Sequence, residues 1–127
     1  MRKTRNTRLA HHRRGLHAET LAGLYLQLKA YRILARRYKT PGGEIDLVAK
    51  RGKTLAFVEV KARKTFAEAA ESIHPRNQQR VVRAAQHYLA EHPEFHSHII
   101  RFDAVLIVWY RWPKHIAHAF DTGDIYA

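Results

Sequence analysis

Residues 57–63 read FVEVKAR, an apolar strand with Glu59 and Lys61 set into it. A charged side chain inside a dry sheet is costly unless it is paired or binds an ion. Upstream, EIDLVAK carries Glu44 and Asp46 in a second apolar run, and only Arg51-Gly52-Lys53 separates that run from the next. Side chains alternate along a strand, so Glu44, Asp46 and Val48 are expected on one face, and Leu55, Phe57, Glu59 and Lys61 on one face of the other strand. A hairpin in which those faces coincide gathers three carboxylates and one ammonium, with residues near 46 opposite residues near 58. Clustered carboxylates repel one another and raise each other's pKa unless a cation sits among them. The donors on offer are oxygens, which suit a hard ion. Mg²⁺ (or Mn²⁺) takes one or two carboxylates, keeps several waters and accepts phosphate oxygens. A lysine beside it steadies an attacking water and opposes charge building on the phosphate. The chemistry implied is phosphodiester hydrolysis. The plain rival is a salt bridge across a sheet edge with no metal, since Glu-x-Lys alone arises by chance in about every second chain of this size.

The elements that must position these groups follow from periodicity. HAETLAGLYLQLKA places Leu21, Leu24, Tyr25 and Leu28 at helical spacing, an amphipathic helix. YRILARRYK reads as a first strand ended by the Pro41-Gly42-Gly43 turn, EIDLVAK as a second and TLAFVEVKAR as a third. So short a connection makes the last two an antiparallel hairpin. FAEAAESI fits a helical turn or an ordered loop equally. Pro75 opens a helix to about Glu91, with Pro93 beyond its end. HIIRFDAVLIVWY is a long strand and HIAHAF a short edge strand. The order αβββαββ gives an α/β domain with a mixed central sheet flanked by helices.

Charge is the strongest bulk signal. Lys and Arg number 23 against 11 Asp and Glu, a net +12 in a chain of 127 residues. That excess favours a polyanion, nucleic acid ahead of an anionic membrane. No run approaches the ~18 apolar residues of a membrane span. The absence of cysteine excludes disulfides and thiolate metal sites, and is compatible with a reducing cytoplasm. Residues 1–16 carry Arg2, Lys3, Arg5, Arg8, Arg13 and Arg14 with no acid, and read as a flexible basic arm that touches phosphates; residues 17–127 read as one domain. In the second helix Val81, Val82, Ala85, Tyr88 and Leu89 form the buried stripe. Arg76, Arg80, Arg83 and His87 recur on another face as a candidate grip on a DNA backbone, with a solvated face as its rival. His92, His96 and His98 match no zinc spacing, and His115 and His118 fall on opposite faces of a strand. Asp103 is expected to pair with Arg101, and Trp109 and Trp112 to pack in the core and at a strand end rather than to stack on bases.

GEIDLVAKRGKTLAFVEVKARK, with HAETLAGLYL ahead of it and RFDAVLIV behind, resembles the signature of the YraN family of small bacterial proteins, over roughly residues 15–120. That family in turn resembles Holliday-junction resolvases and the PD-(D/E)xK nucleases, which implies a restriction-endonuclease-like core. The resemblance makes Asp46 and Glu59 metal ligands, completed by the main-chain carbonyl of Val60, and Lys61 the residue that orients the water. It places Glu19 of the first helix near the metal and lets Gln78 serve as the glutamine that some members use in the second helix. Glu44 belongs to the YraN signature without a fixed role in the superfamily and is read as lying, with Gln78, behind the ligands. It implies a Mg²⁺-dependent endonuclease acting on DNA more than RNA, on branched or junction DNA, leaving 5′-phosphate and 3′-hydroxyl ends. A homodimer in the bacterial cytoplasm, near the nucleoid, would suit two-strand cutting. One departure stands out: the family usually carries a lysine near the start of the second helix, where this chain reads PRNQQR, with Asn77 in that place. The alternative is therefore a nucleic-acid-binding module that keeps the fold without turnover. A third reading is a scaffold for an acidic protein.

Overall fold

A computed structural model describes residues 17–73, 75–121 and 125, with residues 75 and 76 described by their backbone alone. Residues 17–28 form helix α1. Strands β1 (Arg32–Thr40), β2 (Gly43–Arg51) and β3 (Thr54–Ala62) follow, then helices α2 (Phe66–Glu71) and α3 (Pro75–Glu91). A 3₁₀ turn (Pro93–Phe95) leads into β4 (Ile99–Ile107) and β5 (Lys114–Ile116). The five strands lie side by side in chain order. All neighbours are antiparallel except β3 and β4, which are parallel because α2 and α3 carry the chain back across the sheet. This mixed α/β sheet flanked by helices is compatible with a nuclease-like core. Among the described residues no helix is long and apolar enough to cross a membrane.

Local chemistry explains most of these boundaries. Gly52, at φ 59°, supplies the left-handed residue that folds β2 back onto β3, so that Arg51 pairs with Thr54. The segment that fitted helix or loop is helix α2, capped by the Thr65 hydroxyl, which accepts from the Glu68 N–H at 3.1 Å. β4 stops at Ile107, short of Trp109 and Tyr110, which lie in a turn, and β5 is three residues rather than six.

The sheet buries both faces. On one side Val48, Leu55, Phe57 and Phe102 pack under Val81, Ala85, Tyr88 and Leu89 of α3. On the other, Leu47, Ala56, Val58 and Val105 meet Ala18, Ala22 and Leu26 of α1. The face of α1 that enters the core is thus mostly small, two alanines with Leu26, and of the stripe expected there only Leu21 packs against this core, while Tyr25 is half-buried and Leu24 and Leu28 are exposed. Alanine lets the helix axis approach the sheet closely, a fit that leucine at those positions would prevent.

β2 meets α3 almost without clearance. A Cβ on Gly43 would lie 1.9 Å from the Arg80 carbonyl oxygen. Gly43→Ala is therefore expected to cost about 3 kcal/mol, the upper end for overpacking, because backbone rather than a flexible side chain must give way. A lowered denaturation midpoint with an unchanged slope in urea checks this, and an unshifted midpoint would mean that α3 is free to ride outward.

Candidate metal centre

The site begins with a fault in strand β2. Gly43 and Ile45 face α3, Leu47 and Ala49 face α1, and Val48 faces α3 again. Strict alternation therefore breaks at Asp46, and the expected common face of Glu44, Asp46 and Val48 does not form. The β2–β3 ladder ends at the Leu47–Val58 pair. Just beyond it the Val60 N–H donates to Asp46 Oδ2 at 2.7 Å, so a side chain supplies the acceptor where the strands part. Continuing the register past that pair sets Asp46 across from Glu59 and Glu44 across from Lys61.

β3 keeps its alternation. Phe57 enters the core under α3, and Glu59 and Lys61 continue the same side past its edge. The parted strands and the start of α3 enclose a cleft of about 200 Å³ walled by Glu44, Asp46, Glu59, Lys61, Asn77 and Arg80. Lys61 Nζ lies 3.0 Å from Glu59 Oε1, while Glu59 Oε2 is buried with no hydrogen-bond partner. Burial above all, helped by the carboxylates of Glu19 and Glu59, pushes the Asp46 carboxyl up to about 6, against the opposing pull of the Val60 N–H and Lys61. Glu19, 3.7 Å from Arg37 Nε, lines a second, larger cleft on the α1 side, and Asp46 and Val60 form the wall common to both.

The donor set fits a hard divalent ion. Asp46 and Glu59 are opposed carboxylates, and one Glu59 oxygen is unsatisfied in a place where water is scarce. Among the described residues no three Asp, Glu or His side chains converge into a full cage. Mg²⁺ does not require one, since it is commonly held by one or two carboxylates with water in the remaining positions.

A sequence profile described as "Uncharacterised protein family UPF0102" matches residues 18–107, a span that includes both strands of this hairpin. The chain belongs to that family. A UPF0102 protein of Parvibaculum lavamentivorans is 58% identical over 114 residues, covering 90% of this chain and 86% of its own. One from Methylorubrum extorquens is 54% identical over 118 residues, 93% and 92% of the two chains. One from Bradyrhizobium diazoefficiens is 53% identical over 116 residues, 91% and 87% of the two chains.

Other residues of this UPF0102 chain singled out by sequence fall in several places. Asn77 itself reaches the cleft, whereas Gln78 is half-buried and is not among the lining residues. Arg80 borders the cleft, Arg83 lies against Gly42, and His87 pairs with Glu91 at 2.7 Å. Arg13 and Arg14 and the side chain of Arg76 lie outside the described residues. His92 and His96 have a structural use that the sequence did not disclose: their rings bond the Tyr88 and Leu89 carbonyls at 2.8 and 2.9 Å, closing the C-terminus of α3. Asp103 does pair with Arg101. Sequence reading missed Arg63, Lys64 and Trp109, which wall the larger cleft. The first two were signalled by the basic run KARK that ends β3.

Proposed function

We propose that this UPF0102 chain is a divalent-metal-dependent DNA endonuclease, with Mg²⁺ or Mn²⁺ held by Asp46 and Glu59. The observation that carries the reading is the buried, unpartnered Glu59 Oε2 in a cleft that Asp46 also lines, with Lys61 alongside. A bound ion would neutralise charge on a scissile phosphate and lower the pKa of a bound water. The chain's own groups divide the remaining work. Asp46 is fixed by the Val60 N–H, so its second oxygen is directed without further ordering. Lys61, held by Glu59 Oε1, presents its ammonium to the cleft, where it orients a nucleophilic water and offsets charge on the phosphate. Arg80 on one side and Arg63 and Lys64 on the other offer phosphate contacts that position the backbone across the cleft. Glu19 acts on Asp46 through space, its negative charge helping to hold the carboxyl proton until an incoming cation displaces it. Branched or junction DNA, as the resolvase resemblance implies, and action as a dimer belong to this same reading.

The second reading, a binding module without turnover, is favoured by Asn77 in the cleft wall, a neutral amide where a lysine is usual. Two measurements separate them. Cleavage of labelled junction, branched and linear DNA in Mg²⁺ is expected to fall about 10²-fold or more in Lys61→Ala, and calorimetric titration with Mn²⁺ to show one site that Asp46→Ala abolishes. Cutting that persists unchanged in both variants would remove this cleft from the mechanism. Metal silence with intact DNA binding would establish the second reading.

A further inference from the structure

Trp109 and Trp112 do not pack in the core or brace a strand end. β4 ends at Ile107, the chain turns at Trp109 and Tyr110, and the three aromatic side chains emerge on a ledge. Tyr110 is wholly exposed, and Trp112 and Leu28 are each 78% exposed. With Leu24 on the outer stripe of α1, they line an open groove of about 970 Å³. Tyr110 adopts φ 69°, the left-handed region that bulky residues rarely enter, so the turn holds this ring outward against its local preference. An exposed apolar patch of this kind calls for an occupant.

Two features select which. Trp109 walls both this groove and the larger cleft that contains Glu19, Asp46, Arg63 and Lys64, so the ledge is continuous with the candidate metal centre. Cations border it, Arg111 in the groove and Arg63 and Lys64 next door. A second copy of a +12 chain would bring like charges together here, whereas a polyanion with flat apolar faces meets both the rings and the cations. Single-stranded nucleic acid is such a molecule: its bases stack on aromatic rings while basic side chains follow its backbone.

We propose that Trp109, Tyr110 and Trp112 form a stacking platform for unpaired bases, so that the preferred nucleic acid carries a single-stranded stretch beside the bond at the cleft. The proposal deepens the nuclease reading by naming the substrate class, and rests on it for the position of that bond. Duplex DNA keeps its bases stacked and would use only the phosphate contacts. A strand whose bases are already free gains the platform as well.

The chain's only two tryptophans are both on this ledge, so intrinsic fluorescence reports on it directly. The full chain is titrated in EDTA, where no hydrolysis intervenes, with a short thymidine oligonucleotide and with a duplex of equal length. Quenching is expected with the single strand and much less with the duplex. Tyr110→Ala and Trp112→Ala are each expected to weaken single-strand binding about tenfold while duplex affinity holds, and Trp112→Phe to restore most of it. Equal quenching by both ligands, or equal losses in the variants, overturns the proposal. So does self-association in sedimentation that Trp112→Ala abolishes, which would assign the ledge to a second copy, or quenching by phosphatidylglycerol vesicles but not by the oligonucleotide. The titration is run without metal and reads base stacking alone, so a failed cleavage assay leaves this result standing and a failed titration leaves the cleft's chemistry untouched.

Discussion

Asp46→Asn is expected to abolish metal-dependent cleavage and, in the same protein without metal, to raise stability. The two effects share one cause. Burial, with Glu19 and Glu59 nearby, holds the Asp46 carboxyl at about 6, above its ordinary 3.8. The folded state therefore binds this proton more tightly than the unfolded chain does. Folding free energy is lost as pH rises from about 4 through 6 and stays lost above it. A neutral amide keeps an oxygen acceptor for the Val60 N–H and escapes that loss. At pH 8 in EDTA the gain is about 2 kcal/mol, roughly 5–10 °C in melting temperature for a domain of this size. At pH 4 it vanishes, because the native carboxyl is then protonated as well. Cleavage should fall by about 10³-fold or more, since a ligand charge is removed from the ion that stabilises the transition state.

Metal is expected to reverse the order of stabilities. An ion bound to the native protein at about 100 times its Kd adds roughly 2.7 kcal/mol, and the variant without its ligand gains little. Thermal unfolding of both proteins, with and without Mn²⁺ at pH 8 and at pH 4, makes four comparisons. If Asp46→Asn melts lower than the native chain in EDTA at pH 8, the carboxylate is stabilised by its surroundings and is no vacant ligand. This is the stability cost expected of a binding site kept ready for a charge it does not itself contain.

How far the sequence discloses this site depends on how local each determinant is. The hairpin was legible because so short a turn can only join antiparallel neighbours, but its register was not, and it is the register that brings residue 46 across from 59 and 44 across from 61. The break at Asp46 was not legible either, because it falls where β3 has parted from β2 and where β1, still paired on both sides of it, places the left-handed Arg37 opposite. Burial of α3 followed its own periodicity, with Val81, Ala85, Tyr88 and Leu89 inward as their spacing requires. For α1 two apolar stripes compete: Ala18, Ala22 and Leu26 take the core, Leu21 packs at its edge, and Leu24 and Leu28 remain outside. Trp109 and Trp112 were misread because the end of β4 is set by the turn that follows, and an apolar run does not announce where it stops facing the core. The partners of Asp103 were only partly readable. Arg101 is its neighbour on the same strand face, but His115 and the His118 main chain come from a later segment, and Tyr31, which accepts from Arg101 rather than touching Asp103, from an earlier one.

Those distant partners make Asp103→Ala the most damaging substitution for the fold. Asp103 is fully buried on β4, one step along the strand from the Glu59–Ala104 pair, and lines neither cleft. Arg101 Nε and Nη2 donate to its two oxygens at 2.8 and 2.7 Å, His115 Nε2 lies 2.7 Å from Oδ2, and the His118 N–H donates to Oδ1 at 3.0 Å. Lys29 Nζ bonds His115 Nδ1, and an ammonium can only donate, so the ring proton sits on Nε2 and points at the carboxylate. Burial pushes the Asp103 carboxyl up, but the bonds from His115, Arg101 and the His118 main chain outweigh it and hold it at about 2. Truncation leaves the Arg101 guanidinium, the His115 ring N–H and the His118 main-chain N–H facing a void, which costs about 3–5 kcal/mol, roughly 12–20 °C in melting temperature. Because the folded value lies below 3.8, the native protein keeps this contribution above about pH 4 and loses it as pH falls towards 2. The acid limb of its stability curve should therefore be steeper than that of Asp103→Ala. At a temperature where the variant is folded, cleavage should be nearly native, because no Asp103 atom reaches the metal centre. Cleavage lost from fully folded Asp103→Ala would instead tie this network to Glu59 through the shared strand pair. A melting temperature within about 3 °C of native would show that the cations it leaves behind find water at little cost.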